Sequence, residues 1–202
     1  MANFHKNSIP FILYAEYDQH KDIILEIGSE RGEGSTEFFN LHSKKFNVPF
    51  YSVDISESAR NNLSHLTNTT FVVSDGSKWT KEVLPTLNKK IKILYLDNYD
   101  WNHRPMKPDE TGLKNLYREK FNLEWTNLNC VAEHLNQMIN CYPYMSDKSI
   151  IICDDTPLQE HSGIYIGKCS AVVPFLVSRN YRIVYSQNNG VILARGYDTV
   201  LF

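Results

Sequence analysis

The chain has 202 residues, 42% of them hydrophobic, and a formal net charge of -2 from 21 basic and 23 acidic side chains. That length suits one α/β domain with a sizeable core, and the balanced charge lacks the basic excess of a nucleic-acid footprint. No run approaches the roughly 18 uninterrupted apolar residues of a membrane span, and the start, MANFHKNSIPFILYAEY, lacks the basic-then-apolar pattern of a signal peptide.

Short apolar runs alternate with helical stretches. Asp22–Ile27 (DIILEI) reads as a first strand, and Ser35–Phe46 as a helix that Ser35 or Thr36 can cap. Residues 49–54 (PFYSVD) form a second strand and 56–66 a helix. Residues 70–74 (TFVVS) form a third strand, and 79–87 a helical stretch. Residues 91–96 (IKILYL) and 149–153 (SIIIC) are the fourth and fifth strands. Wholly apolar strands in β-α alternation predict a parallel sheet with helices on both faces.

Between the fourth and fifth strands, residues 98–123 are polar, with Pro105, Pro108 and Gly112, and read as a loop too poor in apolar surface to be rigid on its own. Trp125, Leu128, Val131, Ala132, Leu135, Met138 and Ile139 then make one apolar stripe of a helix. Pro174 predicts a kink or late start in the helix before the last strands. Residues 181–186 and 191–195 flank Asn189-Gly190, a two-residue hairpin signal, so the sheet should end antiparallel. Cys130, Cys141, Cys153 and Cys169 form no CxxC pair and read as reduced thiols of a cytoplasmic protein.

In parallel α/β sheets, ligands bind beyond the carboxyl ends of the strands. The first end reads Glu26-Ile27-Gly28-Ser29-Glu30-Arg31-Gly32-Glu33-Gly34-Ser35-Thr36. This is not the GxGxxG of a dinucleotide site. It places a carboxylate deep in a glycine turn, where it can meet a ligand amino group. Asp54 ends the second strand, where a carboxylate can accept bonds from ribose hydroxyls. Asp75 follows the third strand and can meet an adenine amino group. Each acid alone also serves as a helix cap.

The order EIGSERGEGST, YSVD, VVSDGS, ILYLD, IIICDD and a closing hairpin resembles the class I S-adenosyl-L-methionine (SAM)-dependent methyltransferases over roughly residues 20–196. Within them it is most similar to metal-dependent small-molecule O-methyltransferases of the catechol and macrolide-sugar types. The resemblance implies a Rossmann-like, doubly wound sheet of seven strands ending in an antiparallel hairpin, as one domain. It implies SAM bound by Glu26, Gly28, Gly32, Ser35, Asp54 and Asp75.

It also makes the fourth and fifth strands neighbours, so that Asp97, Asp154 and Asp155 converge as oxygen ligands for Mg²⁺, with Mn²⁺ or Ca²⁺ as alternatives. Such an ion would lower the pKa of an acceptor hydroxyl and fix its position. Some relatives carry a basic residue three positions after the first metal acid. Here that position is Asp100, so Asp100, His103 and His161 are the candidates for the general base beside Asp97. Tyr99, Trp101, Trp125 and Tyr165 can line a pocket for a small hydroxylated acceptor, with residues 98–123 as its lid. Alternatives are a SAM methyltransferase without metal, acting on nitrogen or oxygen, and a catalytically silent binding protein on the same fold.

Overall fold

The computed structural model describes residues 15–29, 34–102, 111–187 and 189–197. Strands β1 (Asp22–Ile27), β2 (Phe50–Asp54), β3 (Thr69–Val73), β4 (Lys90–Leu96), β5 (Met145–Cys153), β8 (Arg182–Gln187) and β9 (Gly190–Arg195) form one sheet. A two-stranded ribbon, β6 (Leu158–Gln159) and β7 (Ile164–Tyr165), stands apart. Helices are α1 (Ser35–Phe46), α2 (Ser58–Asn62), α3 (Gly76–Glu82), α4 (Thr111–Phe121), α5 (Asn127–Cys141) and α6 (Val172–Val177).

The order in the seven-stranded sheet is β3-β2-β1-β4-β5-β9-β8. β1 to β5 run parallel, and β9 is antiparallel to both β5 and β8. This is the doubly wound, Rossmann-like architecture expected from the sequence, closing hairpin included.

Alternate residues of the central strands feed two cores. Ile23, Leu25, Ile27, Leu94, Leu96, Ile151 and Leu193 pack with Trp79 of α3, Met138 of α5 and Leu176 of α6. Ile24, Ile93, Tyr95, Ile150 and Ile152 pack on the opposite face with Phe39 of α1. Burial on both faces explains why these strands read as continuous apolar runs.

Local chemistry moved several boundaries. Asp75 accepts a bond from the Lys78 amide (2.7 Å), so α3 starts at Gly76, ahead of the expected 79. Pro85 follows α3, and the remainder of that stretch, Leu84–Leu87, is a 3-10 turn. The helix expected over 56–66 shrinks to Ser58–Asn62. Pro174 lies in the first turn of α6, a late start that the missing amide tolerates. Gly190 pairs with Gln187 as a strand residue, while Asn189 takes the left-handed turn conformation (φ 64°).

The largest correction lies between β4 and β5. Residues 111–121, expected as loop, form helix α4. Tyr117 anchors it: its ring is 8% exposed and packs against Tyr99, Phe121 and Trp125. One well-placed aromatic supplies the apolar contact that the segment's average composition hid.

Candidate functional site

The parallel ladder continues one rung beyond several strands. The Gly28 amide donates to Val53 O (2.8 Å), Ser74 to Asp54 O (2.9 Å), Asp97 to Ile27 O (2.9 Å) and Asp154 to Leu96 O (3.2 Å). These rungs carry Asp54, Asp97 and Asp154 to one edge of the sheet.

At the β1–β2 end, Glu26 is fully buried, and its carboxylate accepts from Ser35 Oγ (2.6 Å), Thr36 Oγ1 (2.8 Å) and Ser52 Oγ (2.8 Å). Glu26 and Ser35 therefore tie β1 to α1 and β2. Burial pushes the Glu26 carboxyl up to about 7; the three hydroxyls pull it down and nearby Asp54 adds to the rise.

Gly28 has φ 96°, and a Cβ there would lie 2.3 Å from Asn98 N and 2.5 Å from the Asp97 carbonyl carbon. Close passage of β1 past the end of β4 requires this glycine. Gly32 lies outside the described residues.

Asp54 Oδ2 accepts the Ser29 amide (2.9 Å) and Oδ1 the Ser56 amide (2.7 Å). Asp75 is the N-cap of α3, and that use of its Oδ1 competes with an adenine contact.

Around this edge several buried polar atoms have no hydrogen-bond partner among the described residues: Ser29 Oγ, Ser77 Oγ, Asn98 Oδ1, His134 Nε2 and Gln137 Oε1. Ser29 and Asn98 directly follow Gly28 and Asp97. His134 turns Nδ1 to Cys130 O (2.8 Å). Burial lowers its pKa to about 3 against the pull of the Cys130 and Asn98 backbones, so the ring is neutral. Buried polar atoms left unpaired in a folded chain point to a ligand or water that completes them.

At the β4–β5 end the three acids do converge, and a lysine that the sequence reading missed joins them. Lys168 Nζ lies 2.8 Å from Asp97 Oδ1 and 3.1 Å from Asp155 Oδ2. Asp154 Oδ2 accepts the Tyr95 hydroxyl (2.8 Å), and its Oδ1 accepts the Asp155 amide (2.8 Å). Burial alone would lower the Lys168 pKa, but Asp97 and Asp155 override it and hold the ammonium well above its usual range. Burial raises Asp97 to about 7 against the pull of Lys168, with Asp154 and Asp155 adding to the rise. Burial, then Asp97 and Asp154, keep Tyr95 protonated as a donor. No group of three or more His, Cys, Asp or Glu side chains with metal-binding geometry occurs among the described residues. The acids meet as expected, but two of them face an ammonium.

The base candidates separate. Asp100 Oδ2 accepts from the Tyr117 hydroxyl (3.0 Å), which in turn accepts from the Asp100 amide (3.0 Å). Asp100 is thus a clasp for α4. His103 lies outside the described residues. His161 is exposed in the β6–β7 turn. Trp125 is 4% exposed and donates its indole N–H to Asp100 O (2.9 Å), a structural placement. Tyr165 bonds Ser186 Oγ (3.0 Å). Lys168 was legible in one respect: it is the only lysine after position 148, set in the apolar context YIGKCSAVV.

No protein-family model matches the chain, and no curated protein matches it. Solved structures do. A candidate methyltransferase from Streptococcus mutans in complex with S-adenosylhomocysteine (SAH) matches with a TM-score of 0.58 at 9% identity, over 97% of this chain and 99% of its own. The N-methyltransferase NodS of Bradyrhizobium japonicum, also in complex with SAH, matches at 0.55 and 10% identity, over 96% of this chain and 87% of its own. MycE, a methyltransferase of the mycinamycin biosynthetic pathway in complex with Mg and SAH, matches at 0.55 and 13% identity, over 96% of this chain and 49% of its own. At these identities the likeness is one of fold: the chain shares the Rossmann-like architecture of these methyltransferases. Among the described residues, no helix is long and apolar enough to cross a membrane.

Proposed function

We propose that this chain is a SAM-dependent methyltransferase acting on a small-molecule acceptor. The observation that carries the reading is the set of buried, unpartnered polar atoms at the carboxyl edge of β1 and β4, beside Asp54, on a fold shared with solved methyltransferases in complex with SAH.

When bound, SAM supplies an electrophilic methyl group on a positively charged sulfur. Asp54, held by the Ser29 and Ser56 amides at the end of β2, would take the ribose hydroxyls. Ser29 Oγ and Asn98 Oδ1 would supply a hydroxyl and an amide acceptor inside the dry turn. Glu26 and Ser35 act one step behind, by fixing that turn. Asp97, with 27% of its side chain exposed and its carboxylate oriented by Lys168, is the proposed acceptor of the substrate's proton. Tyr99, Tyr117 and α4, the described part of the expected cover, would lie over the acceptor.

Metal-assisted O-methylation of a hydroxylated acceptor does not fit this donor set. Asp97 and Asp155 face Lys168, and Asp154 accepts from Tyr95 and its own neighbour's amide. We therefore favour transfer without a divalent ion, and leave oxygen and nitrogen acceptors equally open. The Mg of MycE belongs to that protein.

Calorimetry with SAH tests the reading. One site is expected in the wild type. Asp54→Ala should weaken it by roughly 1–3 kcal/mol, the scale for hydrogen bonds to a charged group. A wild type with no affinity for SAM or SAH ends the proposal.

A further inference from the structure

We propose that Lys168 is the resident counterion of the Asp97–Asp154–Asp155 cluster, standing where a divalent cation would have to bind, so that the folded protein takes no metal there.

A lysine ammonium has three donors and no acceptor. Here they reach Asp97 Oδ1 (2.8 Å), Asp155 Oδ2 (3.1 Å) and, more loosely, Asp97 O (3.5 Å). Mg²⁺ needs oxygens at about 2.0–2.1 Å and Ca²⁺ at about 2.3–2.6 Å. An ion bridging the same two carboxylate oxygens would therefore fall on Nζ or against it. It would also meet a like charge with most of its water removed, since the Lys168 side chain is 6% exposed. The third acid offers no free arrangement in exchange. Both oxygens of Asp154 already accept bonds, from Tyr95 and from the Asp155 amide.

Lys168 is also built into place. Its amide donates to Asp155 O (3.0 Å), which folds the chain back on the acid it pairs with. Gly167 makes the return possible: at φ 94°, a Cβ there would lie 1.9 Å from Asp155 O. Asp155 itself is left-handed (φ 43°). The Thr156 hydroxyl donates to Asp154 O (2.7 Å) and accepts from the Cys169 amide (3.1 Å), locking the acid turn to the residue after Lys168. Such a clamp holds the ammonium against swinging out to admit an ion. Lys168 is thus a positioning residue: it fixes Asp97 and Asp155 and keeps the cluster from collecting metal.

The inference stands on the geometry of the cluster and does not require SAM to bind. Titration with Mn²⁺ alone, followed by electron paramagnetic resonance, tests it. The wild type should show no site tighter than about 1 mM, a weak-binding bound at the loose end of the range for oxygen-ligated cations. Lys168→Met should gain one site at least about tenfold tighter, because Asp97 and Asp155 then lose the ammonium that stands between them, and Asp155→Asn in that background should remove it. Lys168→Arg, which keeps the charge, should gain none. A purely structural lysine would give no gain of metal binding and no distinction between Met and Arg. A wild-type site in the micromolar range that Asp155→Asn abolishes overturns the proposal. That arm needs no Lys168 variant, so a Lys168→Met protein that fails to fold leaves the test decisive.

Discussion

The two acid-bearing ends of the sheet solve one electrostatic problem in different ways. At the β1–β2 end, buried Glu26 is met by three hydroxyls and half-buried Asp54 by two backbone amides. Most of these partners are close in sequence or on the adjoining strand. At the β4–β5 end, Asp97, Asp154 and Asp155 are met by a full positive charge and a tyrosine hydroxyl. Burial makes a carboxylate costly to ionise, and it takes Glu26 up to about 7 against its three hydroxyl donors and Asp97 to about 7 against Lys168. The ammonium must itself be buried, and it stays put only while its partners do. The first end is stiff and shapes a turn; the second is an ion-paired cluster whose composition decides what else can bind.

The sharpest way to break the comparison is to remove the ammonium. Lys168→Met should cost about 3 kcal/mol, the low end for breaking a buried ion pair, since Asp97 and Asp155 keep partial access to water. Urea unfolding at constant m-value measures it. A loss below about 1 kcal/mol would make these pairs equivalent to surface ones and erase the difference between the two ends.

The next test concerns pH at the other end. Glu26 is pushed from an ordinary 4.5 up to about 7 in the folded chain. The folded state therefore holds its proton more tightly than the unfolded state. The contribution is fully present below about 4.5 and is lost as pH rises through about 7. The change is about 3 kcal/mol. Glu26→Gln, neutral throughout, should flatten this part of the stability profile. Unfolding midpoints at pH 4.5, 6 and 8 for both proteins check it, and parallel profiles would show that Glu26 ionises without penalty.

The smallest effect separates two acids that look alike in sequence. Asp75→Ala should lose about 1 kcal/mol of stability with the α3 cap and leave SAH affinity within about twofold, in contrast to Asp54→Ala. A tenfold or larger loss of SAH affinity would return Asp75 to the ligand.

Much of this was legible because it rests on short-range rules. Parallel strands covered on both faces must be apolar throughout, so DIILEI, IKILYL and SIIIC announced the sheet. Acids that end such strands reach one edge because the ladder runs on past them, as Asp97 and Asp154 do. Helix α4 was missed because its buried anchor Tyr117 finds Tyr99 and Trp125 only in three dimensions.

The sequence by itself determined the doubly wound sheet, the hairpin after β5 and which carboxylates stand at the carboxyl edge, since all three follow from periodicity and chain order. Only the tertiary structure decided what neutralises them. The ribbon β6–β7 carries the chain away from Asp155, and Gly167 turns it back to deliver Lys168 to Asp97 and Asp155. Charge pairing depends on distance in space, and the loop that sets this distance carries no periodicity from which it could be read.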